Sequence, residues 1–255
     1  MKSFLSYVGG KSRLADIIVK AIPEHTCYCE VFAGAAWVFF RKEPSKTEIL
    51  NDKDAELINL YRIIQHHCDE FLRQFKHLFV SRKIFIDLKR QDLGGLTDIQ
   101  RAVRYFYLLK AAFGGSALFK STFGYQTTGP PRLNLVTLEE VILQIHLRLL
   151  RVTVECLDSK DCIKRYDRPH TVFYLDPPYY GTKDYAHNFE KEDYISLAET
   201  LQGIQGKFLL SLNDVPFIQA IFKEFTSRSL ELRYSRARKE SSRAHLRGEL
   251  LISNF

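Results

Sequence analysis

The apolar run Val172-Phe173-Tyr174-Leu175 ends abruptly in Asp176-Pro177-Pro178-Tyr179. Two consecutive prolines have no backbone N–H to donate and fix φ, so a strand cannot continue through them. The run predicts a buried strand whose carboxyl end carries a stiff, acidic, aromatic turn. In open α/β sheets that end is where ligands bind. The flanking segments support a sheet of this kind. Cys27 to Ala33 reads as a short buried strand, followed by a turn at Gly34 and a helix from about Ala35. Thr47 to Leu50 reads as a second strand, with a helix from about Asp54 to His66 after it. This β-turn-α-β-α order opens a doubly wound sheet.

From Glu56 to Tyr107 the pattern is helical with charged faces, and Phe113 to Leu135 is rich in Gly, Ser, Thr and Pro, which predicts a loop or hairpin region. The alternation then resumes. Helices are predicted over Thr137 to Leu150 and Glu190 to Gln202, and strands over Arg151 to Cys156, Thr171 to Asp176 and Lys207 to Leu212. Leu230 to Tyr234 and Glu249 to Ser253 read as a closing strand pair. The chain is therefore expected to form a sheet domain from residues 1–55 and 136–255, with a mainly helical insert over 56–135.

With 255 residues there is room for such a domain and its insert. The net charge of +7 favours a polyanionic partner, nucleic acid first. The odd number of cysteines, five, contains no C-x-x-C pair. Cys27 and Cys29 alternate within an apolar run and are expected on one strand face as reduced thiols, and no metal site is expected. The sequence shows neither a signal peptide nor an apolar run long enough to span a bilayer, which predicts a cytoplasmic protein with no membrane partner.

The residues of the Asp176 turn suit methylation of an exocyclic amine. The lone pair of such a nitrogen is delocalised into the ring, so it is a poor nucleophile. Acceptors on its two N–H groups, the Asp176 carboxylate and the Pro177 carbonyl, would draw it towards tetrahedral geometry. The prolines hold the acceptors in place, and Tyr179 offers a face for a flipped base. Asp-Pro-Pro-Tyr resembles the catalytic motif of amino-methyltransferases acting on adenine N6 or cytosine N4. Tyr7-Val8-Gly9-Gly10-Lys11 resembles the N-terminal motif of the Dam-type (D12 class) adenine methyltransferases. Glu30-Val31-Phe32-Ala33-Gly34 resembles their cofactor strand and loop. Asn51-Asp52 followed by Leu57-Ile58-Asn59-Leu60-Tyr61, then Ser211 with Asn213-Asp214, and finally Glu249 to Asn254 complete the resemblance from Tyr7 to Asn254.

The resemblance implies a Rossmann-like, S-adenosylmethionine-dependent methyltransferase fold: a mixed sheet, helices on both faces and a helical target-recognition insert. It implies methyl transfer from S-adenosylmethionine to a flipped adenine in duplex DNA. Asp176, Pro177, Pro178 and Tyr179 would be catalytic, and Tyr7, Gly9, Gly10, Lys11, Glu30, Phe32, Ala33, Gly34, Asp52 and Asp176 would line the cofactor pocket. Gly34 would permit the tight turn, Lys11 would pair with the cofactor carboxylate or a nearby acid, and Asp52 would face cofactor hydroxyls or the adenosine edge. A phosphate-binding loop at Gly10-Lys11-Ser12 fails on spacing, since its first glycine would fall at Leu5.

The chain also departs from the family. Ala36 stands where the loop usually has a second glycine. Ala112-Phe113-Gly114-Gly115 and Phe123-Gly124-Tyr125 differ from the enzymes that methylate GATC and look more like phage and prophage members. Basic residues near aromatics suit phosphate contact and stacking, which nominates Lys120, Tyr125 and Arg132, with Arg236, Arg238, Lys239 and Arg243, for DNA. Cytosine-N4 methylation, RNA methylation and a catalytically silent DNA-binding protein on the same fold stay open as alternatives. The target sequence, the oligomeric state and a companion restriction endonuclease are likewise open.

Overall fold

The computed structural model describes residues 1–5, 11–113, 121–182, 188–232 and 247–255. Seven strands form one sheet: β1 (Cys27–Glu30), β2 (Thr47–Asn51), β3 (Val152–Glu155), β4 (Thr171–Leu175), β5 (Lys207–Asn213), β6 (Thr226–Leu232) and β7 (Arg247–Ser253), in the order β3-β2-β1-β4-β5-β7-β6. The first five are parallel, and β7 runs antiparallel to both β5 and β6. From β1 the chain winds out through β2 to β3, then returns to β4 on the other side of β1. The carboxyl ends of β1 and β4 therefore border the point where strand order reverses, with Glu30 in register with Tyr174.

Side-chain alternation divides the core. Tyr28, Leu50, Tyr174, Leu209 and Leu251 face one hydrophobic cluster, which also takes in α1 (Ala15–Ala21), α2 (Trp37–Arg41), α3 (Ala55–His66), α4 (Cys68–Phe75), α5 (Arg82–Arg90), α6 (Asp98–Ala111) and α7 (Leu138–Leu149). Cys27, Cys29, Ile49, Phe173, Leu175, Phe208 and Ile252 face the other, against α8 (Ser159–Tyr166), α9 (Lys191–Gln202) and α10 (Pro216–Ile221). Helices thus cover both faces, as the sequence predicts. Cys27 and Cys29 share a face, both as free thiols, and Cys29 Sγ lies 3.6 Å from Cys162 Sγ.

Local chemistry sets the helix boundaries. Asp54 caps α3 by accepting from Glu56 N and Leu57 N, Thr97 and Gln100 form a capping box on α6, and Pro216 opens α10. Helices α1, α8 and α10, of seven, eight and six residues, are additions to the sequence reading. β6 begins at Thr226, four residues before its expected start. Its opening Thr-Ser-Arg-Ser is polar because β6 is an edge strand paired only with β7. The expected end of this strand, at Tyr234, lies outside the described residues. Phe113 N donates to Thr122 O and Gly124 N to Ala111 O, framing a single antiparallel bridge between Ala112 and Phe123 at the mouth of the Gly- and Pro-rich segment. No helix among the described residues is long and apolar enough to cross a membrane.

Candidate active site

A cavity of about 260 Å³ opens at the carboxyl ends of β1, β2 and β4. Its wall next to β1 is the Val31 to Ala36 turn. Gly34 has φ +47°, and its N–H donates to Asp52 Oδ2 at 2.8 Å while its carbonyl accepts from the Tyr61 hydroxyl at 2.7 Å. The other Asp52 oxygen accepts from Asp54 N at 3.0 Å. Asp52 therefore ties the glycine turn to the end of β2, with its carboxylate still lining the cavity. Asn51 adds a second tie, donating to Val31 O and Leu157 O and accepting from Leu157 N.

Ala36, standing where glycine is usual, keeps the backbone glycine would adopt. It sits in the left-handed region at φ +50° and is buried. Its carbonyl accepts from Phe40 N, so this residue starts α2. Ala36→Gly should change stability by less than about 1 kcal/mol, as relief of the left-handed conformation offsets the lost methyl. Ala36→Val should cost about 2–4 kcal/mol, since a β-branched residue fits neither the backbone nor the space. Urea unfolding of the two variants checks this; equal stability would contradict it.

Glu30 closes β1 and is buried. One oxygen accepts from the Tyr28 hydroxyl at 2.6 Å and from Phe39 N at 2.9 Å. Burial pushes this carboxyl up to about 8 against the help of the Tyr28 hydrogen bond, and the nearby Asp176 charge adds to the rise. It is thus largely protonated at neutral pH, a neutral hydrogen-bonding group in the cavity floor.

Asp176 leaves β4 with its carboxylate in the cavity wall, about one fifth exposed. Lys11 Nζ lies 2.7 Å from Asp176 Oδ1 and 3.1 Å from Glu249 Oε1, and it also donates to the Tyr179 hydroxyl. The same ammonium lies 4.3 Å from the centroid of the Tyr179 ring. The Tyr179 hydroxyl in turn donates to Glu249 Oε2 at 2.5 Å, and Ser211 Oγ donates to Glu249 Oε1. Burial raises Asp176 to about 6; Lys11 opposes the rise and Glu249 reinforces it. Burial acts to lower Lys11, but the two carboxylates outweigh it and the ammonium is held above its ordinary value.

The turn itself is braced. Tyr194 donates to Pro178 O at 2.6 Å, Thr182 donates to Tyr179 O through both N and Oγ1, and Asn213 exchanges hydrogen bonds with the Tyr180 backbone at 3.0 and 3.1 Å. Among the described residues no donor reaches the Pro177 carbonyl.

The structure gathers Lys11, Glu30, Phe32, Ala33, Gly34, Asp52, Asp176 and Pro178 around one cavity, with Pro177 and Tyr179 in the adjoining turn. Tyr7, Gly9 and Gly10 lie outside the described residues, as do Lys120, Arg236, Arg238, Lys239 and Arg243. Tyr125 is exposed, with the Arg82 guanidinium 5.8 Å from its ring centroid, and Arg132 lies 6.0 Å from the exposed Phe113 ring. Sequence reasoning missed Leu157, Asp158 and Phe189 as cavity residues and Glu249 as the second acid on Lys11. The signal for Asp158 was the Asp-Ser pair after β3, where it caps α8. For Glu249 it was an acid inside an apolar strand, which needs a buried partner.

The model of the family described as D12 class N6 adenine-specific DNA methyltransferase matches residues 7–236. The chain is 25% identical to the type II methyltransferase M1.LlaDCHI of Lactococcus lactis subsp. cremoris, over 100% of this chain and 96% of that one. It is 25% identical to the type II methyltransferase M.CviBI of a Paramecium bursaria Chlorella virus, over 92% and 91% of the two chains. It is 27% identical to a DNA adenine methylase of Escherichia coli, over 80% and 76%. With the strand order, the acidic cavity at its switch point and the Asp-Pro-Pro-Tyr turn in place, the chain belongs to the D12 class of N6 adenine-specific DNA methyltransferases.

Proposed function

We propose that this cavity binds S-adenosylmethionine and that the Asp176 turn presents it with an adenine flipped from duplex DNA. The carrying observation is the Asp176 carboxylate in the cavity wall, at the head of a turn whose next carbonyl, that of Pro177, accepts from no described residue. The donor set fits the cofactor. Lining carboxylates at Asp52, Asp54, Asp158, Asp176 and Asp193 outnumber the lysines Lys11, Lys53 and Lys160 even with Glu30 left out as protonated, which suits a cationic ligand and disfavours a phosphate. Gly34, Asp52 and Glu30 would hold the ligand on the β1 and β2 side, with Phe32, Leu157 and Phe189 supplying apolar contact. When bound, S-adenosylmethionine supplies an electrophilic methyl group on its sulfonium.

The protein's own residues position the nucleophile. Asp176 and the Pro177 carbonyl accept the two N6 hydrogens, which localises the lone pair on nitrogen. Tyr179 offers the base only the ring face opposite Lys11. After transfer the nitrogen carries a surplus proton, and Asp176 is placed to take it. Preorganised acceptors and held geometry account for the rate. The helical insert over 56–135, with Tyr125 and Arg132 beyond α6, and the basic 228–247 stretch supply the DNA-facing surface in this reading, by phosphate contact and stacking.

The active form of Asp176 is the carboxylate. Its folded value of about 6 means the acceptor is present above that pH and lost below it. The specificity constant kcat/KM for DNA should therefore fall through about pH 6, approaching tenfold per pH unit further down. Initial rates of N6-methyladenine formation from pH 5 to 8 at fixed ionic strength measure this. A flat profile would remove Asp176 as the ionised acceptor, and product in N4-methylcytosine would move the reading to the cytosine enzyme.

A further inference from the structure

We propose that Glu249 is a positioning residue of this site: it fixes the Tyr179 ring and shares Lys11 with Asp176. The inference rests on the reading of the Asp176 turn as the methyl-transfer site.

Glu249 stands near the start of β7, opposite Asn213 of β5 and Leu230 of β6, with its side chain about 2% exposed. A carboxylate buried in a sheet needs donors. A purely structural one could take them from its own sheet, and Ser211 on β5 is such a donor. The other two donors come from elsewhere. Lys11 belongs to the turn before α1, and Tyr179 ends the Asp-Pro-Pro-Tyr turn after β4. Both are groups that the methyl-transfer reading places at the target base.

Each contact has a distinct consequence. The bond from the Tyr179 hydroxyl anchors the far end of the ring, so the ring cannot swing about its Cα–Cβ bond and one face is kept for the base. The contact with Lys11 makes one ammonium serve two carboxylates. One ammonium between two carboxylates leaves the cluster net negative, so Asp176 keeps the basicity of an acceptor for an N–H donor. The groups facing Asp176 are Lys11 from the N-terminal turn, Glu30 from β1, Tyr174 from β4, Tyr179 from its own turn and Glu249 from β7. Among them Lys11 lowers its pKa and Glu249 raises it.

The test is Glu249→Gln in the full chain, assayed on duplex DNA beside the wild type. Turnover should fall by about tenfold to a hundredfold, the size of effect a misplaced reacting group produces, with KM for DNA within about twofold. The acid limb of the rate profile should move to lower pH, because the charge that raises Asp176 is gone. Glu249→Asp separates the two contacts. It keeps the charge beside Lys11 but falls short of Tyr179, so turnover should drop while the limb stays. Tyr179→Phe deletes the same bond from the other side, and Glu249→Gln should cost less in that background than in the wild type. That variant also reads the bond if Glu249→Gln does not fold; full turnover in Tyr179→Phe overturns the anchoring role. A rate loss in Glu249→Gln with an unmoved limb overturns the sharing of Lys11. Unchanged turnover and limb overturn the whole proposal while leaving the methyl-transfer reading intact. A wild type that forms no N6-methyladenine overturns that reading, and this proposal with it.

Discussion

Asp176→Ala is expected to reduce methyl transfer by about a thousandfold or more, because it removes the ionised acceptor that the Asp-Pro-Pro-Tyr turn presents to the base. The fold should survive the change. Lys11 keeps Glu249 and Tyr179 as partners, and deleting one of two carboxylates that raise each other's cost relieves crowding of like charge. Thermal unfolding should thus shift little, while single-turnover formation of N6-methyladenine disappears. A variant within tenfold of wild type would show that the turn holds the base without the carboxylate. Asp176→Asn keeps the shape of the side chain and should still lose most of the rate, since its amide nitrogen offers a donor where an acceptor is needed.

Lys11→Met should have the largest effect on stability. The lysine is buried between Asp176 and Glu249, and its loss leaves two carboxylates close together without a cation. Removing one partner of a buried ion pair costs about 3–5 kcal/mol. The pH dependence follows from the same geometry. Asp176 stands at about 6 even with Lys11 beside it, and without Lys11 it is held higher. A carboxyl whose folded value is raised penalises folding above that value, and the penalty is lifted as falling pH protonates it. The deficit of Lys11→Met should accordingly be large at pH 8 and much smaller at pH 5. Urea unfolding of both proteins at the two pH values measures it. A deficit of equal size at both would mean that the lysine contributes packing of its stem rather than charge.

What was legible in the sequence followed burial. β1, β2, β4 and β5 read clearly because both their faces are covered by helices, so their residues form continuous apolar runs. Asp52 and Asp176 were found because they follow such runs, at the carboxyl ends where a site forms. The edge strand β6 read poorly because solvent on one edge permits Thr226 to Ser229 to be polar. The short helices α1, α8 and α10 carry too few turns for a 3.6-residue period to show. Glu249 was seen as part of a strand but not of the site, because its partners lie more than 200 residues away at Lys11 and 70 away at Tyr179. Such pairing is a product of topology and leaves no local pattern. Ala36 is the converse case: the departure from glycine was visible, but only the backbone shows that the left-handed turn is kept.

The most direct test of the central claim is a map of modified bases in DNA from cells that lack adenine methylation of their own and express this chain, with Asp176→Ala as the control. The expected result is N6-methyladenine at one defined sequence, absent in the control. DNA without N6-methyladenine, from cells holding folded protein that binds S-adenosylmethionine, would contradict it.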